Sequence, residues 1–342
     1  MPTGSPSLAE WKALYDAALE FKSIGCWDWM HDSMLFGVQD PETGDVGYCC
    51  VLGANGEVFA LNVYLGAEGL DGYIRMATAR TPAKDPGILC SQLCLMASFE
   101  DRPALNKRDQ DVIRSLGLKF RGRNAWPQFR EYRPGCLPWY LTKPQARFLT
   151  VALEQAKDVA LRIRDDMELP LRGPEGTMLV RALRVTKSGA QWKDEYVEPE
   201  PPPPVIVDMA IDGPRLDKLQ RDRLQKAGTW EVEYTYHLEP VQDHPSQRPY
   251  FPRALTCAES SSGIILDMHL FGFGSSIADA RNRLMHTMEK YKSIPEVFLV
   301  KRPEAHNMLA PVATKLSIEV KKAKRLKGVE EMFKEFERFL RR

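Results

Sequence analysis

The chain has almost no excess of charge: 47 lysines and arginines stand against 46 aspartates and glutamates, a formal balance of +1. That balance supplies no global attraction to nucleic acid or to an anionic membrane, so any such binding must come from a local patch. Long apolar runs are missing as well. No stretch approaches the roughly 18 uninterrupted apolar residues of a membrane-spanning helix. The opening residues, MPTGSPSLAEWK, hold no basic region followed by an apolar stretch, so the expectation is a cytoplasmic protein with no membrane contact.

Signatures of chemistry are equally scarce. The histidines His31, His237, His244, His269, His286 and His306 show no HExxH or paired spacing, and no serine sits in a GxSxG elbow. The cysteines Cys26, Cys49, Cys50, Cys90, Cys94, Cys136 and Cys257 form an odd, scattered set without a second CxxC or a neighbouring histidine. They suit reduced thiols used as small core residues, neither a disulfide framework nor a zinc site. No catalytic residue, metal ligand or cofactor is assigned.

What is present is ordinary globular composition, 44% apolar and 27% charged over 342 residues, enough for two hydrophobic cores. Capping-box spacings at Ser7/Glu10 and Thr142/Gln145, followed by apolar residues at helical intervals, predict helices over 8–21 and 142–163. Asn106-x-x-Asp109 begins a shorter one that ends by Gly117. Runs at 34–39, 46–52 and 58–65 read as an antiparallel meander, with further strands at 93–99, 178–185 and 190–197. Asp40, Glu42 and Asp45, between the first two runs, are turn residues rather than a calcium loop, since the EF-hand spacing is absent. Residues 120–141 read as irregular.

Glu198-Pro199-Glu200-Pro201-Pro202-Pro203-Pro204 favours extended polyproline backbone without a hydrogen-bonded ladder. The reading is therefore an α+β domain over 1–197, a proline-rich linker over 198–204 and an α/β domain with a mixed sheet over 205–342. In the latter, strands are expected at 230–238, 254–259, 264–271, 297–300 and 316–320. Helices are expected from Ser276-x-x-Asp279, at 303–312 and at 329–340. Asp267 and His269 lie two apart on a strand and are expected on an exposed polar face opposite Leu266, Met268 and Leu270. The basic run 321–327 is read as a solvated connection.

The order of three strands, then helix, strand, helix, strand, helix over residues 229–342 resembles the ribonuclease H-like arrangement. Members that cut nucleic acid hold metal ions with acids on the first strand and at the end of the fourth. Here the fourth strand ends Val300-Lys301-Arg302, which puts a two-metal mechanism in doubt; Glu259 and Asp267 are the nearest acids. The stretches FGVQDPETGDVGYCCVLG, LKFRGRNAWPQFREYRPG and RPEAHNMLAPVATKLSIEV together resemble a bacterial family built from two domains of unknown function. That resemblance implies a bacterial origin and this domain order, and brings no activity or catalytic residue.

Two segments stand out as sites. In LKFRGRNAWPQFREYRPG, Arg121, Arg123, Arg130 and Arg133 are interleaved with Trp126 and Tyr132, the mixture used for phosphate contacts and base stacking. The same residues also pack within a protein through cation–π contacts and carboxylate pairs, or form a protein interface. Gly272, Gly274, Ser275 and Ser276 open a helix whose amides can cradle an anion, or simply cap it. The leading expectation is a non-catalytic cytosolic binding or adaptor protein for a phosphate-bearing or nucleic-acid ligand. A hydrolase or nuclease-like enzyme and a protein–protein interaction module are the alternatives.

Overall fold

The computed structural model describes residues 4–79, 85–187, 189–202, 204, 209–222 and 224–340; Pro203 of the expected linker and residues 205–208, which open the expected second domain, lie outside them. The chain divides into two compact units, Met1–Pro203 and Pro204–Arg342. Each has its own sheet and its own core.

In the first unit α1 (Leu8–Ser23) precedes β1 (Phe36–Gln39), β2 (Val46–Leu52) and β3 (Ala60–Leu65). Then come α2 (Gly66–Thr78), α3 (Pro86–Leu89), β4 (Cys94–Glu100), α4 (Lys107–Ser115) and β5 (Trp126–Tyr132). The unit ends with α5 (Lys143–Asp165) and the hairpin β6 (Met178–Thr186) and β7 (Gly189–Val197). The strands form one seven-stranded sheet ordered β5-β4-β3-β2-β1-β6-β7. All neighbours are antiparallel except β1 and β6.

The start of α1 is local chemistry: Ser7 Oγ accepts from Glu10 N while the Glu10 carboxylate accepts from Ser7 N. Helix α5 buries Leu149, Leu153, Ala156, Val159, Ala160 and Ile163 along one stripe against the sheet, each fully buried Leu, Ile or Val contributing roughly 1.5–3 kcal/mol. The helix comes so close that a Cβ on Gly47 would stand 2.7 Å from Phe148 Cζ. Between β1 and β2, Asp40 N donates to Asp45 O and Gly44 N to Asp40 O, closing the acidic segment as a tight turn.

The second unit runs α6 (Gly213–Arg221), β8 (Gln225–Lys226), β9 (Thr229–Tyr236), β10 (Arg253–Glu259), β11 (Ile265–Phe271) and α7 (Ile277–Tyr291). It continues with β12 (Ser293–Ile294), β13 (Val297–Val300), α8 (Pro303–Leu316), β14 (Glu319–Lys322) and α9 (Lys327–Leu340). The five-stranded sheet is ordered β11-β10-β9-β13-β14. Its first three strands are antiparallel, and β9, β13 and β14 are parallel. Trp230, Val232 and Tyr234 alternate into a core shared with Leu284 and Met288 of α7 and Met308 and Val312 of α8. On the opposite face Val329 of α9 packs with Ala258 and Leu326. The molecule is thus an α+β unit with an antiparallel meander joined to an α/β unit with a mixed sheet, as its sequence predicts.

Some expectations need correction. Residues 66–78 form α2, although Gly66, Gly69 and Gly72 disfavour a helix, and 126–132 form a strand inside the segment read as irregular. The last strand starts at Glu319, because α8 continues through Pro311 to Leu316 and stops where Ser317 takes a left-handed φ of 53°. Asp267 is buried and faces α7, where Arg283 awaits it, while Met268 and Leu270 are the exposed side of β11. Among the described residues no helix is long and apolar enough to cross a membrane.

Candidate functional site

The segment of arginines and aromatics is organised by β5, the edge strand of the first sheet. Extended backbone rises about 3.3 Å per residue, so Arg123 and Arg133 are carried to opposite ends of the strand. The six residues singled out in the sequence therefore fall into three separate environments.

Arg130 is committed within the protein. Its Nη1 and Nη2 donate to both carboxylate oxygens of Asp109 at 2.9 and 2.6 Å, a bidentate pair whose arginine side chain is 12% exposed. The same guanidinium lies 5.0 Å from the Tyr140 ring centre, and Arg108 covers that ring at 4.0 Å. Asp109 also closes the α4 capping box with Asn106. Arg130 thus ties α4 to the sheet edge.

Tyr132 packs against the small cluster of Tyr48, Cys50, Tyr64 and Cys94 beneath α2, and burial pushes its phenol up from the ordinary value. Arg133, next in the chain, is exposed.

The opposite end of β5 gathers the remaining cations. Arg121 and Arg123 are exposed in the turn before the strand, and Arg123 is 92% exposed, with Nε 4.0 Å from Asp101. Asp101 in turn accepts from Asn124 N at 2.7 Å, which pins the turn. Trp126 is half-buried, edge-on to Phe120 at 5.6 Å, with the exposed guanidinium of Arg102 lying 5.7 Å from its ring centre. Arg102 was not singled out in the sequence. It comes from the short turn after β4, and only the pairing of β4 with β5, which sets Glu100 opposite Trp126, brings it here. The result is a corner where Arg102 lies beside the indole and Arg121 and Arg123 stand exposed in the turn just before it, with Glu100 and Asp101 as the nearby acids.

In the second unit the Gly272–Ser276 loop is a helix cap. Ser276 N and Oγ both donate to the Asp279 carboxylate, and Asp279 N donates back to Ser276 Oγ. A carboxylate already occupies the positive end of α7.

The sheet acids of that unit are likewise engaged. Glu231, 2% exposed, accepts from Ser260 Oγ and from the Gly328 and Val329 amides at the start of α9. Glu233 pairs with Arg302 at 2.6 Å. Asp267 takes both Arg283 nitrogens at 2.6 Å and the Thr287 hydroxyl at 3.0 Å. Burial alone would raise the Asp267 carboxyl; the Arg283 and Thr287 hydrogen bonds outweigh it and hold it below the ordinary value. Glu259 accepts from Ser261 and Ser262, whose hydrogen bonds lower it to about 2. Among the described residues no three His, Cys, Asp or Glu side chains converge as metal ligands.

Two hollows of about 290 and 300 Å³ flank Pro144 and Phe148 at the start of α5, and the Arg147–Glu42 pair lies at the first. A third, of about 380 Å³, lies beside His31, Asp32 and Glu57.

These features define a two-unit α/β protein with a basic, aromatic corner on one sheet edge and acids held by internal partners. Residues 11–181 match the family described as "Domain of unknown function (DUF7309)", and the chain belongs to that family. Residues 215–337 match a second, "Domain of unknown function (DUF6930)". Comparison with curated proteins found no match. Among solved structures, a chain of the simian T-cell lymphotropic virus intasome in complex with PP2A regulatory subunit B56 gamma is similar at 14% identity and a TM-score of 0.25. That similarity covers 32% of this chain and 38% of that one, and carries no argument about fold or activity.

Proposed function

We propose that this is a non-catalytic binding or adaptor protein of the bacterial cytosol whose first unit engages a phosphate-bearing polyanion. The corner formed by Arg102, Arg121, Arg123 and Trp126 is the site. The observation that carries this reading is the half-buried Trp126 ring with the exposed Arg102 guanidinium beside it and the exposed Arg121 and Arg123 in the turn that leads into its strand, since guanidinium contacts to phosphate and a stacking face are what a single-stranded nucleic acid requires. Arg130 is excluded from contact by its pair with Asp109, and Arg133 lies at the far end of β5. Seven free, buried cysteines suit a reducing compartment.

The second unit is read as a ribonuclease H-like scaffold that supports the molecule without cutting nucleic acid. Its strand order and its mixture of antiparallel and parallel pairs favour that fold. Glu231 and Glu233 sit on its first strand, but amides, Ser260 and Arg302 already use their oxygens. Carboxylates committed in this way are poor ligands for a divalent ion.

Titrating labelled single-stranded oligonucleotides at several salt concentrations tests the site. Three phosphate contacts give a slope of log affinity against log salt of about −2, and Arg123→Ala removes roughly 0.7 of it. Arg130→Ala leaves the slope unchanged. No binding at low salt, or a slope indifferent to Arg123→Ala, removes the proposal.

A further inference from the structure

The two edges of the first sheet are finished differently. Glu131 exchanges backbone hydrogen bonds with Trp139 at 2.8 and 2.9 Å, so the backbone groups of every second residue of β5, Glu131, Phe129 and Pro127, point away from the sheet. Pro127 has no N–H, and Phe129 O accepts from the Arg130 guanidinium at 2.8 Å. A proline, an occupied carbonyl and the bridge to Trp139 make that edge a poor template for another strand.

The other edge, β7, carries no proline, and among the described residues the backbone groups of Trp192, Asp194 and Tyr196 make no hydrogen bond beyond the sheet. Its register with β6 is unbroken from Met178↔Val197 to Thr186↔Gly189. The ladder carries the parity across the sheet: Glu131 points outward, so Leu95 bonds with Val63 and Cys49 with Phe36, Gly37 bonds toward β6, and Val180 is left to bond with Glu195. Counting in twos, Gln191 and Lys193 also bond inward, and the backbone groups of Trp192, Asp194 and Tyr196 point outward.

We propose that this open edge pairs antiparallel with β7 of a second copy of the chain, about a twofold axis through Asp194. Antiparallel pairing lets outward residues face only outward residues, which leaves few registers. An axis through Lys193 or Glu195 sets identical charges opposite each other at the close, non-hydrogen-bonded spacing, which is destabilising. An axis through Trp192 sets Gln191 against Lys193 and pairs no opposite charges.

The axis through Asp194 sets Lys193 against Glu195 twice, with Cα atoms about 4.5 Å apart, and Trp192 against Tyr196 twice. It forms about six inter-chain backbone hydrogen bonds, two at each outward pair. The two Asp194 carboxylates that meet on the axis are each neutralised within their own chain by Arg162 and Arg181. Glu195 also holds Arg184 of its own chain, and its side chain remains 33% exposed for the partner's lysine. The inference stands apart from the anion-binding reading, because β5 and β7 are opposite edges of the sheet.

Sedimentation velocity on the full chain, from about 1 µM to about 200 µM, covers the affinity of so short an interface. A reversible dimer is expected. Lys193→Glu turns two attractive pairs repulsive and should raise the dimer dissociation constant roughly ten-fold, while unfolding at the wild-type denaturant concentration. Oxidising the K193C/E195C double variant should give a covalent dimer, since those Cα atoms lie within disulfide range. A monomer throughout, a dimer indifferent to Lys193→Glu, or no covalent dimer from the double variant overturns the proposal.

Discussion

Arg281 compensates for Pro311. A proline inside α8 leaves the carbonyl four residues earlier, that of Asn307, without its helical donor. The Arg281 guanidinium, fully buried on α7, donates to Asn307 O at 3.4 Å, to Met308 O at 2.8 Å and to Ala210 O at 3.0 Å. A buried cation and a helix-breaking residue are each costly alone, and here the donors of one meet the acceptor freed by the other.

The pair should therefore be coupled. Arg281→Met is expected to destabilise the second unit by about 3–5 kcal/mol, by leaving buried carbonyls without donors. In a Pro311→Ala background the new N–H can reach Asn307 O, and the loss should shrink by about 1 kcal/mol. A double-mutant cycle in urea measures the coupling, and strictly additive losses would show that the two residues act separately.

Arg130 and Arg133, three positions apart, should behave as different kinds of residue. Arg130→Ala strands the Asp109 carboxylate, 8% exposed, and should cost about 2–4 kcal/mol. Arg133→Ala, on the surface, should stay within about 0.5 kcal/mol of wild type. Equal midpoints for the two variants in denaturant would contradict this assignment.

Asp267 links stability to acid. Its folded-state pKa lies below the ordinary 3.8, so its contribution is complete above that value and is lost as pH falls through the lower, folded one. Asp267→Asn should be less stable than wild type at pH 7, and the gap should narrow as the pH falls below 3.8. A gap of constant size from pH 7 to pH 2 would mean that the carboxylate charge is not what Arg283 holds.

The thiols should be silent in the folded chain. All seven cysteines are buried, and burial raises Cys26, Cys50 and Cys94 to about 12. An aromatic disulfide reagent at pH 8 should label none of them within minutes and all of them in denaturant. Rapid labelling of the native protein would show that the cores open readily.

The two units should fold separately. Limited proteolysis between residues 198 and 210 should release fragments that each unfold cooperatively in urea, because each has its own sheet and core. Loss of cooperative unfolding in both fragments would show that the units depend on each other.

Much of the architecture is legible because it is written in contacts a few residues long. The capping boxes at Ser7/Glu10, Asn106/Asp109, Thr142/Gln145 and Ser276/Asp279 all form as their spacing predicts. The period-two alternation of Trp230, Val232 and Tyr234 names the buried face of β9. Helix α2 is not legible in this way. Gly69 stands where a Cβ would come 2.7 Å from Leu93 O, so the glycine that argues locally against a helix serves its close approach to the neighbouring backbone.

The sequence by itself determined the order and type of most elements and the concentration of arginine and aromatics in one segment. Capping and periodicity depend on neighbours within about four residues, whatever the rest of the chain does. Only the tertiary structure decided what each arginine became. Arg130 was drawn inward by Asp109, 21 positions earlier, and Arg102 was brought to Trp126 by the pairing of β4 with β5. Strand order likewise decided that β5 and β7 would be the two edges, one closed and one open. A guanidinium takes the nearest carboxylate or ring that packing supplies, and strand neighbours in space need not be neighbours in sequence, so neither outcome is encoded in local spacing.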